Sequence, residues 1–178
     1  MSTINNVYLN GEPLSDINIP NTVTEIKKHA FRSCRATSIT IPSSVTSIGK
    51  NAFIKCCGEL TINCNIDSVE SDDAGAFYDT NFTKITFGNN VTSIGDHEFV
   101  SCSLLEELIL PEYATKFGFG AFAGCVAIKS PITIPEGVAE LDGSCFYNCS
   151  NIPSISFPST LTKIGQYVLY DSRNMSTI

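Results

Sequence analysis

The chain has 178 residues, 43% of them hydrophobic and 16% charged, with a formal net charge of −7 at pH 7. That supports one continuous apolar core in a single soluble domain, and the acidic excess argues against a nucleic-acid partner. No run approaches the roughly 18 unbroken apolar residues of a membrane span, so no membrane insertion is expected, and the abundance of Ser, Thr, Asn and Gly favours short strands and turns over long helices.

The stretch from Met1 to Asn10 lacks a basic region followed by an apolar one, so no classical export signal is expected in it. From Val7 to Leu14 an Asn-Gly pair, Asn10-Gly11, lies between two short apolar segments, which predicts a β-hairpin. Residues 1–16 are therefore expected to form a hairpin cap. Beyond them the sequence aligns on itself with a period of 21 to 25 residues, from starts at Ile17, Ile39, Leu60, Ile85, Leu108, Ile132 and Ile155. The predicted repeats are 17–38, 39–59, 60–84, 85–107, 108–131, 132–154 and 155–178.

Two residues after each start stands a second apolar residue, followed in five repeats by Pro20, Pro42, Pro111, Pro135 or Pro158. Proline cannot donate to a ladder, so each start predicts a short strand that ends in a turn. Next come two apolar columns: Val23, Val45, Ile66, Val91, Ala114, Val138 and Leu161, then Ile26, Ile48, Val69, Ile94, Phe117, Leu141 and Ile164. A third side carries Phe31, Phe53, Phe77, Phe99, Phe122, Phe146 and Leu169, with a spacing that suits a helical or 3₁₀ turn. A lone coil of this length cannot bury three apolar sides, so the coils must stack. The expected fold is a right-handed solenoid with short parallel strands on one face and turns, short helical or strand segments on the others.

The run Ile41-Pro42 through Val45, Ile48-Gly49 and Ala52-Phe53 to Cys56 resembles the BspA-like leucine-rich repeat, as does Phe87 through Val91, Ile94-Gly95 and Phe99 to Cys102. The resemblance runs from about Val7 to the end of the chain. It implies a surface-type repeat protein, at the cell surface or secreted, engaged in adhesion or host-protein binding.

Coil three departs from the pattern, with extra residues in Ser71 to Gly75 and Thr80 where cysteine is expected. Its acidic residues Asp67, Glu70, Asp72, Asp73 and Asp79 raise a calcium loop as one reading, but they lack regular ligand spacing and read first as a solvated bulge. Cys34, Cys56, Cys102, Cys125 and Cys149 share one repeat position, so they read as buried free thiols. Their spacing has no paired Cys-x-x-Cys elements, so no zinc or other metal site is predicted. His29 and His97 occupy the same corner three coils apart, about 14 Å by strand spacing, too far to share a proton. The string Asp96-His97-Glu98 then reads as surface turn. No phosphate loop, His-Glu-x-x-His element or nucleophile elbow occurs, so neither catalysis nor a cofactor is expected. The Asn-x-Ser/Thr strings at Asn81, Asn90, Asn148 and Asn174 read as compositional.

The period-two rule leaves two strand columns pointing outward. One reads Asn18, Thr40, Thr61, Thr86, Ile109, Thr133 and Ser156; the other reads Asp16, Ser38, Glu59, Lys84, Glu107, Pro131 and Ser154. Solenoids commonly bind along such a face. The expected function is a non-enzymatic binding module, with a protein ligand contacting Glu59, Lys84, Glu107 and Ile109. The other reading is a structural or assembly component of a larger surface or viral-particle assembly. Coil seven loses its phenylalanine and cysteine to Leu169 and Ser172, so it is either an imperfect cap or the point where a longer chain continues. An open end of this kind is a candidate for self-association.

Overall fold

A computed structural model describes residues 8–9, 12–13, 15–66 and 74–176. Strands β1 (Tyr8–Leu9) and β2 (Glu12–Pro13) pair antiparallel, Tyr8 opposite Pro13 and Leu9 opposite Glu12, so the two arms of the expected hairpin are present. Their Asn10-Gly11 connection lies outside the described residues.

Seven coils follow. The first face holds β3 (Asp16–Asn18), β5 (Arg35–Ile41), β7 (Cys57–Ile62), β8 (Asn81–Phe87) and β10 (Glu107–Ile109) in one parallel sheet. A second pair is formed by β12 (Ile132–Thr133) and β14 (Ile155–Ser156). The register aligns Ile17, Ile39, Leu60, Ile85 and Leu108, and separately Ile132 with Ile155, as the repeat spacing requires. Five of these strands lead into a tight turn at their proline. Val23, Val45, Ala114, Val138 and Leu161 donate their N–H groups back to the carbonyls of Pro20, Pro42, Pro111, Pro135 and Pro158 at 2.9–3.3 Å.

The second face is built from two-residue strands: β4 (Glu25–Ile26) with β6 (Ser47–Ile48), and β9 (Ser93–Ile94), β11 (Lys116–Phe117), β13 (Glu140–Leu141) and β15 (Lys163–Ile164) in a four-stranded parallel row. In coil three the observed phase differs from the expected one. Ile66, placed by spacing in the column of Val91, pairs instead with Ile94. Asn63 replaces the proline, keeps its N–H in the ladder to the Ile41 carbonyl at 3.0 Å, and lets the chain cut the corner so that Cys64 is buried in the shortened turn. Val69, expected opposite Ile94, lies outside the described residues.

Of the alternatives expected for the third side, turns form, and no helix occurs among the described residues. The reason is backbone geometry. Pairs of left-handed residues four apart, such as His29 and Ser33 (φ 60° and 58°) or His97 and Ser101 (φ 57° and 62°), flank Phe31, Phe53, Phe99, Phe122 and Phe146, and Asp79 (φ 54°) follows Phe77. They stop helical propagation, because L-residues do not continue a helix through that region. The phenylalanine N–H then reaches the following coil: Phe31 to Ala52, Phe53 to Ala76, Phe77 to Glu98, Phe99 to Ala121, Phe122 to Cys145 and Phe146 to Val168, at 2.8–3.2 Å.

Inside that ladder the rings of Phe31, Phe53, Phe77, Phe99, Phe122 and Phe146 stack in sequence, with centroids 4.9–5.4 Å apart and planes within 15°. Beside them, the Cys56, Cys102, Cys125 and Cys149 thiols donate to the carbonyls of Phe31, Phe77, Phe99 and Phe122, at 2.7–3.2 Å. Ser172 makes the same bond to Phe146 at 3.1 Å, which explains why a hydroxyl replaces a thiol in this column. A small side chain with one donor suits the position.

Candidate functional site

The residues that carry titratable chemistry are dispersed or enclosed. His29 is exposed on its corner, and His97 lies with its ring edge against Phe119, centroids 5.3 Å apart. Glu98, read from the sequence as part of a surface turn, is 2% exposed. It occupies the alanine column, turned opposite to its neighbour His97, and its carboxylate accepts the Ala76 N–H at 2.9 Å. Asp79 of coil three pairs with Lys55 at 2.8 Å; Asp67, Glu70, Asp72 and Asp73 lie outside the described residues. No group of three or more His, Cys, Asp or Glu side chains is placed to hold a metal ion among the described residues.

All eight cysteines are free. Burial pushes the thiols of Cys56, Cys125 and Cys145 well up, that of Cys149 to about 12 and that of Cys64 to about 11, so almost none is ionised at neutral pH. The thiolate is the reactive form. Cys102 is fully buried as well, so enclosure protects it, and under native conditions an aromatic disulfide reagent is expected to label only the half-exposed Cys34 and Cys57 rapidly, and in denaturant all eight. Fast native labelling of more than two thiols, counted by mass spectrometry, would contradict the buried ladder.

The four residues selected from the sequence meet on the first face. Register pairing sets Glu59 beside Lys84 and Lys84 beside Glu107 on three successive strands. The Lys84 ammonium lies 3.0 Å from a Glu107 carboxylate oxygen. Its hydrogen bond to Glu107, with the charges of Glu107 and Glu59, holds the amine above the ordinary lysine range. Ile109 stands opposite Thr86 and is 44% exposed in a column otherwise composed of threonine, serine and asparagine.

Next to Ile109 the sheet opens. Strands β10 and β12 do not pair, and between them lies a groove of about 820 Å³ lined in part by Glu107, Ile109, Tyr113, Pro131, Pro135 and Glu136. The reading of the sequence missed it. Its one visible sign was Pro131, a residue without a donor standing in the strand column.

A family model described as the BspA type leucine rich repeat region matches residues 2–125 and 71–178, in six copies. No curated protein sequence matches the chain. Among solved structures it is similar to a leucine-rich repeat protein from Bacteroides ovatus, at 28% identity with a TM-score of 0.59, covering 93% of this chain and 50% of that one. It is also similar to a leucine-rich cell surface protein from Faecalibacterium prausnitzii, at 22% identity with a TM-score of 0.60, covering 93% and 59%. A T. pallidum leucine-rich repeat protein shares the fold at 16% identity with a TM-score of 0.51, covering 93% and 58%. The chain thus spans between half and three fifths of the length of these relatives.

Proposed function

The chain belongs to the BspA-type leucine-rich repeat family, and we propose that it is a non-enzymatic protein-interaction module whose ligand docks on the first strand face. Glu59, Lys84, Glu107 and Ile109 are the contact residues. The observation that carries this reading is the row Glu59, Lys84 and Glu107 beside an uncovered Ile109, on three adjacent strands paired in one parallel sheet. A rigid platform loses little entropy on binding, and an exposed apolar residue beside a row of charges has the composition of an interface. The cell-surface location of the Faecalibacterium protein fits an adhesion role at the cell surface or after secretion. Among the described residues no helix is long and apolar enough to cross a membrane.

The test is surface plasmon resonance of the immobilised chain against purified extracellular-matrix and cell-surface proteins. Lys84→Ala and Glu107→Ala are each expected to weaken saturable capture by about tenfold, the scale of a contact residue, with circular dichroism unchanged. A second reading, a structural or assembly role with self-association through the C-terminal end, is favoured by the exposure of Ile164, Tyr167 and Tyr170 at 54%, 62% and 56% on coil seven. It is supported instead if those two variants change nothing while Leu169→Asp abolishes assembly in sedimentation velocity.

A further inference from the structure

The opening between β10 and β12 has a cause in the ladder. At regular joints one strand donates forward to the next: Ile19 N–H to the Thr40 carbonyl at 3.1 Å, Ile132 to Ser154 at 3.0 Å and Ile134 to Ser156 at 3.0 Å. Pro131 has no N–H, so the Glu106 carbonyl is taken by Lys129 at 3.0 Å instead, and the Leu108 N–H turns to the Ser130 hydroxyl at 3.4 Å. The bond from Leu110 to Thr133 that would correspond to Ile19 with Thr40 is not made among the described residues. The strands separate, and the groove appears where the ladder fails.

Its chemistry is one-sided. Ile109 and Tyr113, 44% and 54% exposed, face Pro131 and Pro135, which gives an apolar and aromatic slot. Glu107, Glu112 and Glu136 stand around it, and no lysine, arginine or histidine belongs to its lining. Lys84 offsets only Glu107, and Glu136 accepts hydrogen bonds from the Ser159 N–H at 3.2 Å and hydroxyl at 2.9 Å, which orient its carboxylate without neutralising it. The volume falls in the range of roughly 300–1,000 Å³ typical of ligand sites. An apolar slot under a negative rim discriminates for an occupant that is apolar in the middle and positive at both sides.

We infer that this groove binds an extended peptide segment in which lysine or arginine residues flank an aliphatic or aromatic side chain. The inference rests on the strand-face reading above and names the class of protein ligand that face takes.

Fluorescence anisotropy of the full chain with a labelled Arg-Leu-Arg-Phe-Arg peptide tests it. Saturable binding is expected, weakened about tenfold by Tyr113→Ala and by the double change Glu112→Gln with Glu136→Gln, and weakened by salt. The double change Glu25→Gln with Glu140→Gln, an equal charge change on the second face, should leave the affinity unchanged. Three results overturn the proposal: no saturable binding; equal binding of Arg-Gly-Arg-Gly-Arg or of spermidine, which reports charge alone; or indifference to the groove variants when circular dichroism shows them folded. Glu59 and Lys84 lie outside the groove lining. If the peptide fails while Lys84→Ala still weakens capture of a protein, only the groove assignment falls. If capture ignores Lys84 while the peptide binds as described, the wider face falls instead.

Discussion

Replacing Phe99 with alanine is expected to destabilise the chain by about 3–5 kcal/mol and to lower the thermal midpoint by roughly 6–20 °C for a chain of this size. The ring is fully buried and has three aromatic neighbours. It stacks on Phe77 at 4.9 Å and on Phe122 at 5.3 Å, and meets Phe87 edge-on at 5.9 Å with planes 87° apart. Removing it leaves a cavity that two flanking rings, each held in turn by its own stack, cannot close. Phe31 supplies the control, since among the described residues it stacks only on Phe53 and is 8% exposed. Urea unfolding followed by circular dichroism should show a loss for Phe31→Ala of about half that for Phe99→Ala. Equal losses would show that the rings contribute as separate buried side chains and not as a continuous stack.

The second large effect is expected at Gly58. Between the third side and the first face, coil one uses Ala36 and Thr37 and coil three uses Phe82 and Thr83, whereas coil two has Gly58 alone, and the ladder register shifts there. One residue must cover the path of two. It does so with φ +97°, and a Cβ on it would lie 2.2 Å from the Ala36 carbonyl oxygen and 2.4 Å from that of Thr37. Those atoms are backbone and cannot swing away. Gly58→Ala should therefore cost about 2–5 kcal/mol, the sum of a strained dihedral and an overpacked contact. Replacing Gly58 by the dipeptide Ala-Thr, which restores the length of the neighbouring coils, should recover most of the loss. Failure of that rescue in the same urea titration would mean that Gly58 is needed for space alone and not for the missing residue.

Most of the architecture was legible because each strand start stands at a constant distance from its proline turn and from its phenylalanine. A period that persists through seven coils leaves little freedom of register. Coil three resisted where its turn residue changed. Asn63 can donate where proline cannot, the corner shortens, and Ile66 advances into the next column. Glu98 was misread because its neighbour His97 in the string is partly exposed, whereas Glu98 stands in the buried alanine column beside Phe99, where its carboxylate accepts the Ala76 N–H of the preceding coil. For the candidate site, period two was enough to bring Glu59, Lys84, Glu107 and Ile109 onto one face. The groove depends on hydrogen bonds that fail to form, and an outward column that includes Pro131 does not by itself reveal a separation of strands.

The stack is interrupted on a strand face. Among the described residues the first face parts between coils five and six, where β10 and β12 are unpaired. The third side, which carries no regular strand, links every coil to the next from Phe31 to Val168. Under a load applied along the stacking axis, the first face offers a seam, but that seam does not run through the molecule. The turn side acts as the keel, and a crack opened at the first face meets intact bonds and stacked rings before it can cross.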